Sequence, residues 1–317
     1  MKKIFVYMFT MGLSMAMSAQ FVTKNGALNV SGTQLVNQLN EPVVLRGMSL
    51  GWHCFHPRFY NEGVVEWLKK DWKCNVVRAA LGVEPGDSAY IKHPKEGMQK
   101  IECVVDAAIK NDIYVIIDWH SHSVNTKEAV AFFDQCSKKY GKYPNVIFEI
   151  FNEPDEESWE DVKQYAEEII AVIRKNAPDN LILVGCPHWD QDIHLAADSP
   201  LNTNYNIMYT MHFYAGTHGK WLRDRVDYAM NKGLPIFVSE SAGMEATGDG
   251  PINVTEWQAF IDWMEQKRIS WITWSVSDKD ETCSVLNTSA RSNGKWKTND
   301  LKNSGKLIRE YLRKLNE

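Results

Sequence analysis

Eight short apolar runs alternate with longer amphipathic segments along this chain, and that alternation restricts its possible folds more than any other feature. The runs are rich in β-branched and aromatic residues, which is typical of strands buried on both faces. Their bounds are Val43–Met48, Asn75–Ala80, Ile113–Trp119, Val146–Phe151, Leu181–Cys186, Ile207–His212, Ile236–Ser239 and Ser270–Trp274. Strands alternating with helices favour a parallel sheet covered by helices. With eight strands, the predicted fold is α/β, a (β/α)8 TIM barrel.

Most of the segments between these runs have the spacing of an amphipathic helix, and one more follows the last run. The segment 191–198 is the exception, because it is short and only weakly helical. The helical segments are Gly63–Trp72, Gly97–Asn111, Thr126–Tyr140, Trp159–Asn176, Lys220–Lys232, Thr255–Lys267 and Leu301–Leu315. The regular order of elements therefore continues to the end of the chain.

Two segments of alternating polarity precede the first run. Residues 27–30 and 33–36 flank Ser31-Gly32, a pattern typical of a short β-hairpin that we expect to plug the bottom of the barrel. The sequence has 317 residues without a Pro/Ser-rich linker, a break in composition or a repeat. Single α/β barrels reach this length. We therefore predict one domain over residues 20–317.

Residues 1–19 have the features of a secretory signal peptide. Lys2 and Lys3 precede the apolar stretch 4–17, and cleavage after Ala19 or after Ser18 fits the pattern. The stretch is too short for a stable transmembrane anchor, and no second long apolar stretch follows it. We therefore expect export to the periplasm or the medium, without membrane association once the signal is removed.

Charge and cysteine content argue against two further classes. The net charge is −5 and no Lys/Arg-rich run is present, so nucleic acid is not an expected partner. The six cysteines occur singly and form no CxxC pair, so a zinc cluster is not predicted. Export permits disulfides, but the spacing assigns none.

The fourth apolar run ends abruptly in Asn152-Glu153-Pro154. Pro154 cannot donate a ladder hydrogen bond, so the strand must stop there. Asn152 and Glu153 then lie at the carboxyl end of a buried strand, where α/β barrels place their chemistry. Taken alone, the tripeptide is equally compatible with a helix-entry turn that carries a solvated Glu153.

Other strands also end in functional side chains. These are Arg78, Asp118-Trp-His120, His212-Phe-Tyr214, Ser239-Glu240 and the stretch from Trp274 to Lys279. Two of the strand-end residues, Glu153 and Glu240, are glutamates on strands four and seven. Cleavage of a glycosidic bond requires two such carboxyl groups, one protonated and one ionised. A separation of about 5–5.5 Å would indicate a retaining mechanism, whereas an ion pair behind the site is the alternative role for Glu240.

Five segments in combination resemble glycoside hydrolase family 5, and within it the bacterial endo-β-1,4-glucanases, or cellulases. The segments are Ile147–Pro154, Asp118–His120, His212–Tyr214, Phe237–Glu240 and Trp274–Lys279, and the likeness extends from about Leu45 to Leu286. The resemblance implies a secreted, retaining, endo-acting hydrolase that cleaves internal β-1,4-glucosidic bonds of cellulose or mixed-linkage β-glucan by double displacement. It also implies a β-glucan partner, a monomer, and neither a cofactor nor a metal.

The resemblance implies roles for the residues around the two glutamates. Glu153 would be the acid/base, and Glu240 would be the nucleophile. Asn152 would hydrogen-bond to the 2-hydroxyl of the sugar in subsite −1. Arg78 and Tyr214 would hold Glu240, and the arginine would keep it ionised.

Further residues are implied along the substrate path. His120 and His212 would complete subsite −1, with His212 near the acid/base. Trp274 would form the aromatic floor under the sugar. Lys279 and Glu281 would contact hydroxyl groups further out on the minus side, although both are equally compatible with a solvated loop.

The segment after Leu50 departs from the family pattern. Cellulases of this kind carry a tryptophan platform for the −2 sugar here, whereas this chain has Trp52-His-Cys-Phe-His-Pro57. Trp52 and Phe55 are both candidates for the platform, and His53 or His56 is a candidate for the polar contact. Gly51 stands where the family motif has a histidine.

Three alternatives remain open from the sequence. Mannan or xyloglucan could be the substrate of the same chemistry, because loops at a barrel mouth change specificity. His120-Ser-His122 together with His212 could bind zinc, as in a metal-dependent amidohydrolase, although both glutamates would then have no role. A sugar-binding barrel without catalysis is the third alternative, and the presence of both glutamates argues against it.

Overall fold

The computed structural model describes residues 20–203 and 205–317, so the predicted signal peptide lies outside the described residues. Eight parallel strands form a closed barrel surrounded by helices, which confirms the predicted (β/α)8 fold. The barrel strands are β3 (Arg46–Leu50), β4 (Val76–Gly82), β5 (Tyr114–His120), β6 (Val146–Glu149), β7 (Ile182–Val184), β8 (Ile207–Tyr214), β9 (Ile236–Ala242) and β10 (Trp271–Val276). Each strand pairs with the next along the chain, and β10 closes the barrel against β3.

The ends of several strands differ from the prediction. β4 continues to Gly82, so Arg78 lies inside the strand, paired with Ser49 of β3 and Ile116 of β5, and not near its end. β6 ends at Glu149, before the predicted end at Phe151. The apolar pattern located the strands, but it did not fix their ends, because buried residues continue beyond them into the loops.

The predicted hairpin consists of β1 (Asn29–Ser31) and β2 (Gln34–Val36), which pair antiparallel around a turn that contains Gly32. Leu28 and Leu35 pack against side chains inside the barrel such as Tyr114. The Tyr114 hydroxyl donates to the carbonyl oxygen of Gly26 over 2.6 Å. Because Tyr114 begins β5, the hairpin closes the amino-terminal end of the barrel and leaves the carboxyl end open.

The helices pack around the outside of the barrel, and most of them match a predicted segment within a few residues. A short helix before the hairpin was not predicted from the sequence. The helices are α1 (Phe21–Asn25), α2 (Glu62–Lys70), α3 (Pro94–Lys110), α4 (Thr126–Tyr140), α5 (Trp159–Arg174), α6 (Pro187–Asp190), α7 (Ile193–Asp198), α8 (Lys220–Asn231), α9 (Val254–Lys267) and α10 (Asn303–Leu315).

Side chains cap the starts of α2, α5 and α9. Ser158 accepts a hydrogen bond from the Asp161 backbone at the start of α5, and the Asp161 side chain accepts one from the Ser158 backbone.

Within the described residues, none of the helices is both long and apolar enough to cross a membrane. All six cysteines are free thiols.

Candidate active site

A cleft of about 630 Å³ opens at the carboxyl ends of the barrel strands. Most of the predicted site residues line it. The lining residues are Trp52, Phe55, His56, His120, His122, Glu153, Tyr214, Glu240, Ala246, Thr247, Gly248, Trp274, Ser275, Ser277, Lys279, Glu281 and Cys283. Arg78, Asn152 and His212 do not line the cleft and are buried behind it.

Arg78 is the centre of a buried network under the cleft. Its guanidinium group donates to both oxygens of Glu149 over 2.7 and 3.2 Å, to Glu240 over 3.0 Å, and to the side-chain oxygen of Asn152 over 2.6 Å. Asp118 lies 3.0 Å away as a third carboxyl partner. The Arg78 side chain has no exposed surface. Arg78 can therefore act on a substrate only by holding these partners in place.

Each oxygen of Glu240 has its own hydrogen-bond donor. Tyr214 donates its hydroxyl to Oε1 over 2.6 Å, and Arg78 donates to Oε2 over 3.0 Å. Burial raises the pKa of Glu240, as does the charge of nearby Glu153, whereas Arg78 and Tyr214 lower it. A carboxylate held by two donors is favoured in its ionised form.

Glu153 faces Glu240 in a different environment. Its Oε1 lies 2.8 Å from Nδ1 of His212, and its Oε2 lies 3.6 Å from Nδ1 of His122. Burial raises the pKa of Glu153, and no arginine or lysine is paired with it among the described residues. One oxygen of Glu153, a ring nitrogen of His212 and one oxygen of Glu240 all lie within 4.8 Å of one another. Two facing carboxyl groups thus differ in their partners, and the one without a cationic partner is the better proton donor.

His120 and Trp274 form one wall of the cleft. Their rings stack with a centroid distance of 5.0 Å and an interplanar angle of 11°. Nδ1 of His120 lies 2.6 Å from Asp118 Oδ2, which fixes the orientation of the imidazole. The amide nitrogen of Asn152 is buried behind the cleft and has no hydrogen-bond partner among the described residues.

Trp52 and Phe55 both line the cleft, and their ring centroids are 5.9 Å apart. Trp52 is half-buried against His122, with ring centroids 5.6 Å apart and an angle of 24°. Phe55 is 53% exposed. Both aromatic faces therefore border the cleft, and the geometry alone does not choose between them.

Of the two histidines considered for the polar contact, the structure leaves only His56 in the cleft. His53 is buried, and its Nδ1 accepts a hydrogen bond from the Gly82 backbone over 2.9 Å. His56 lines the cleft, and its Nδ1 lies 3.5 Å from Asp278. A Cβ atom at Gly51 would lie 2.9 Å from Cδ2 of His56. The imidazole of His56 thus occupies the space next to the glycine.

Lys279 and Glu281 also line the cleft and form a salt bridge with each other. The ammonium group of Lys302 donates to the carbonyl oxygens of both residues, over 2.5 and 2.9 Å. The loop that carries the pair is therefore anchored from behind by α10 and its preceding turn, although the Lys279 side chain is largely exposed.

Several contacts of the site were not identified from the sequence, although Asp118 and Ser239 had been named at strand ends. Glu149 and Asp118 each interrupt an apolar strand, and a charge inside such a run was an available signal for a buried network. His122 was considered only as a zinc ligand. Asp190 and Ser239 both contact His212, and Asp190 lies in a segment whose pattern gave no signal.

The three histidines of the zinc hypothesis do not converge. Among the described residues, ring nitrogens of His120, His122 and His212 do not all come within 4.8 Å of one another. His120 and His212 are instead engaged by Asp118 and Glu153. The site thus does not present the three-ligand set that the amidohydrolase hypothesis requires.

A parallel eight-stranded barrel with two carboxyl groups facing each other at its mouth has the architecture of the barrel glycoside hydrolases. The family model "Cellulase (glycosyl hydrolase family 5)" matches residues 36–280. The chain belongs to this family.

Relatives and solved structures agree with that assignment. Endoglucanase A of Evansella cellulosilytica is 45% identical over 281 residues, which are 86% of this chain and 57% of the relative, so the chain spans little more than half of that protein. A structure from Cytophaga hutchinsonii superposes with a TM-score of 0.92 at 43% identity, covering 93% of this chain and 97% of the other. A variant of the Thermobifida fusca endoglucanase Cel5A catalytic domain in complex with cellotetraose gives a TM-score of 0.87 at 31% identity, covering 92% and 99%.

Proposed function

We propose that this protein is an endo-acting β-1,4-glucanase that cleaves internal bonds of cellulose or mixed-linkage β-glucan with retention of configuration. The observation that carries the proposal is the pair Glu153 and Glu240, whose nearest oxygens lie within 4.8 Å. An inverting enzyme needs about 6.5–9.5 Å between its carboxyl groups to admit a water molecule. The short separation favours direct attack by one carboxylate on the sugar.

Glu240 is the nucleophile in this proposal, because Arg78 and Tyr214 stabilise its ionised form. Its oxygen attacks C1 of the sugar as the bond from C1 to the glycosidic oxygen breaks. Glu153, protonated at the start, transfers its proton to the departing oxygen. In the second step Glu153 takes a proton from water, the water oxygen bonds to C1, and the bond from C1 to Glu240 breaks.

The remaining predicted residues bind the sugar. Asn152 would donate its unpartnered amide hydrogen to the 2-hydroxyl and so stabilise the transition state, which requires this buried side chain to become accessible from the cleft. Trp274, backed by His120, supports the apolar face of the sugar in subsite −1. Trp52, Phe55, Lys279 and Glu281 extend the cleft on the minus side.

The relatives support the choice of substrate: the Evansella protein is an endoglucanase, and the Thermobifida structure holds cellotetraose. The test is a panel of carboxymethylcellulose, lichenan, mannan and xyloglucan, with product lengths measured over time. We expect internal cleavage of the first two, with the β-anomer formed first in proton NMR of cellotetraose hydrolysis. Preferential cleavage of mannan or xyloglucan would overturn the substrate, and α-anomer as the first product would overturn the retaining mechanism.

We also propose that residues 20–317 form one exported, monomeric catalytic domain. The proposal is supported by the signal-like residues 1–19 and by the packing of the hairpin and α10 against one barrel. Amino-terminal sequencing of the protein recovered outside the cytoplasm should give Gln20 or Ala19 as the first residue. Light scattering should give the mass of a single chain.

A further inference from the structure

Asp190 is a fully buried carboxyl group that directly contacts His212, the neighbour of Glu153. Its Oδ2 lies 3.2 Å from Nε2 of His212 and 2.5 Å from the Thr210 hydroxyl. Its Oδ1 accepts a hydrogen bond from the Cys186 backbone over 2.5 Å. A continuous chain of contacts thus leads from Asp190 through the imidazole of His212 to Oε1 of Glu153.

The backbone around Asp190 has an unusual conformation that directs this side chain inward. His188, Trp189 and Asp190 have φ angles of 60°, 53° and 61°, which non-glycine residues rarely adopt. The Trp189 backbone N–H donates to the carbonyl oxygen of Pro154 over 2.9 Å. Strained backbone of this kind is concentrated at functional sites, and here it joins the Asp190 turn to the residue that follows Glu153.

The surroundings of Asp190 and His212 contain more acidic than basic groups. The groups that face the pair from neighbouring elements are Glu149 of β6, Glu153 after β6, Ser239 and Glu240 of β9, Arg78 of β4 and His122 after β5. Arg78 is already engaged by Asp118, Glu149 and Glu240. An ionised Asp190 next to a neutral His212 would therefore be a buried charge without a cation, which is unfavourable.

Burial raises the pKa of Asp190 well above its usual range and lowers the pKa of His212 to about 4. Nε2 of His212 lies 3.2 Å from Asp190 Oδ2 and 2.9 Å from the Ser239 hydroxyl. When the Asp190 carboxyl group donates its proton to Nε2, the hydrogen of the neutral imidazole lies on Nδ1 and points at Oε1 of Glu153.

We propose that Asp190 is a positioning residue for the acid/base. It holds a proton at the Nε2 side of His212, which keeps a hydrogen on Nδ1 and makes His212 a donor to Oε1 of Glu153. The proton that Glu153 transfers is then carried by Oε2, the oxygen on the side of His122 in the cleft wall. This inference rests on the proposed role of Glu153 in glycosidic cleavage.

The arrangement assists the first chemical step. When the Oε2 proton moves to the departing oxygen, the bond from C1 to that oxygen breaks and the bond from C1 to Glu240 forms. Glu153 becomes a carboxylate, and the Nδ1 hydrogen of His212 stabilises its new charge. A hydrogen bond to a charged group is stronger than one between neutral groups, so the contact favours the products of proton transfer.

The test compares two substrates in two variants. Asp190→Leu removes the carboxyl group and its proton while keeping a side chain of similar volume. Asp190→Asn retains an N–H that can donate to Nε2 of His212. Cellotetraose needs a proton on its leaving group, whereas 2,4-dinitrophenyl β-cellobioside does not. We expect Asp190→Leu to lower kcat/KM about 10- to 100-fold for cellotetraose and much less for the dinitrophenyl substrate. Asp190→Asn should retain most of the wild-type kcat/KM for cellotetraose.

The pH profile provides a readout that a purely structural role would not change. Loss of the Nδ1 donor removes a hydrogen bond that favours ionised Glu153, so the basic limb of kcat/KM should move to higher pH in Asp190→Leu. Equal losses for both substrates, or no loss at all with an unchanged profile, would overturn the proposal.

Nitrogen NMR of the wild-type protein tests the proton placement without any variant. We expect His212 to carry a hydrogen on Nδ1. A neutral ring protonated only at Nε2 would overturn the proposal, even if the variants fail to fold. If the wild type hydrolyses neither substrate, the proposed function has failed, and the NMR result still decides where the proton lies.

Discussion

The floor and the rim of the cleft are built differently. The floor consists of Arg78 and the side chains it holds, which come from strands or from residues shortly after them, and it has almost no exposed surface. The rim consists of Trp52, Phe55, Lys279 and Glu281, which come from loops, and two of these side chains are more than half exposed. Strand register fixes the positions of the floor residues, whereas loop sequence determines which side chains form the rim.

This difference suggests a division of work. The floor sets the charge and position of the two glutamates, so changes there should alter the chemical step or the stability of the fold. In the proposed function the rim contacts the substrate through exposed surfaces, so changes there should alter affinity by modest amounts. Four substitutions test this division, each against a matched change in the other region or elsewhere in the barrel.

The largest effect is expected for Glu240→Ala. Removal of a nucleophile typically lowers kcat by about 10⁴- to 10⁶-fold, and azide should restore turnover by forming the α-glycosyl azide. Turnover of cellotetraose and the azide product are measured by chromatography and NMR. Glu281→Ala removes a glutamate from the same cleft and is the control, with a far smaller loss and no azide product. Wild-type turnover by Glu240→Ala without azide would show that the nucleophile assignment is wrong.

Arg78→Met should have the largest effect on stability. It leaves buried Asp118 and Glu240 without their cation, and breaking a buried ion pair costs about 3–5 kcal/mol. Burial already raises the pKa of Asp118, and Arg78 lowers it. Without Arg78 the folded-state pKa rises further above its unfolded value, so the stability deficit should be smallest near pH 4 and grow as pH rises towards 8.

The control for that variant is Arg46→Met, at the opposite end of the barrel. Arg46 pairs with Glu265 over 2.5 and 2.7 Å at a partly exposed site. Its loss should cost about 1 kcal/mol or less. Chemical denaturation at several pH values measures both variants. Equal costs for the two arginines, or a deficit in Arg78→Met that shrinks as pH rises, would contradict the role of Arg78 as a buried hub.

The strand-end residues of the site were predictable from the topology, whereas the four rim residues were named only from the family resemblance. Glu153, Glu240, Tyr214 and His120 follow apolar runs, and strand ends in a parallel barrel meet at one edge. Their proximity was therefore implied by topology before any distance was known. The Asp190 contact could not be predicted, because it depends on a left-handed turn that no sequence period signals.

His53 and His56 remained alternatives in the sequence analysis for a similar reason. The alternation of residues along a loop does not fix which side chain faces the cleft, so His53 and His56 were equivalent in the sequence. In the structure the two histidines differ. The Gly82 backbone N–H donates a hydrogen bond to the buried His53, and the absence of a side chain at Gly51 leaves room for His56 in the cleft. Burial lowers the pKa of His53 to about 4, so it stays neutral inside the protein.

A smaller effect is expected for the two aromatic residues of the rim. Phe55→Ala should raise KM for cellotetraose about 2- to 10-fold and leave kcat nearly unchanged, because an exposed ring contributes about 0.5–1.5 kcal/mol of contact. Trp52→Ala should also lower kcat, because Trp52 packs on His120 and on His122 beside Glu153. Steady-state kinetics measures both. A fall in kcat in Phe55→Ala at unchanged KM would place that ring in the floor.

The smallest effect is expected for Lys279→Ala. The Lys279 side chain is 63% exposed and already paired with Glu281, and exposed ion pairs contribute about 0.2–1 kcal/mol. We expect kcat/KM for cellotetraose to fall by less than about fivefold, and added salt should reduce the difference from wild type because it screens exposed charges. The loss in Glu240→Ala should not respond to salt in this way, because the Glu240 carboxylate is buried. A loss above tenfold that persists in 1 M salt would mean that Lys279 contacts the sugar at a site shielded from solvent, and the boundary between floor and rim would then have to include the loop that Lys302 anchors.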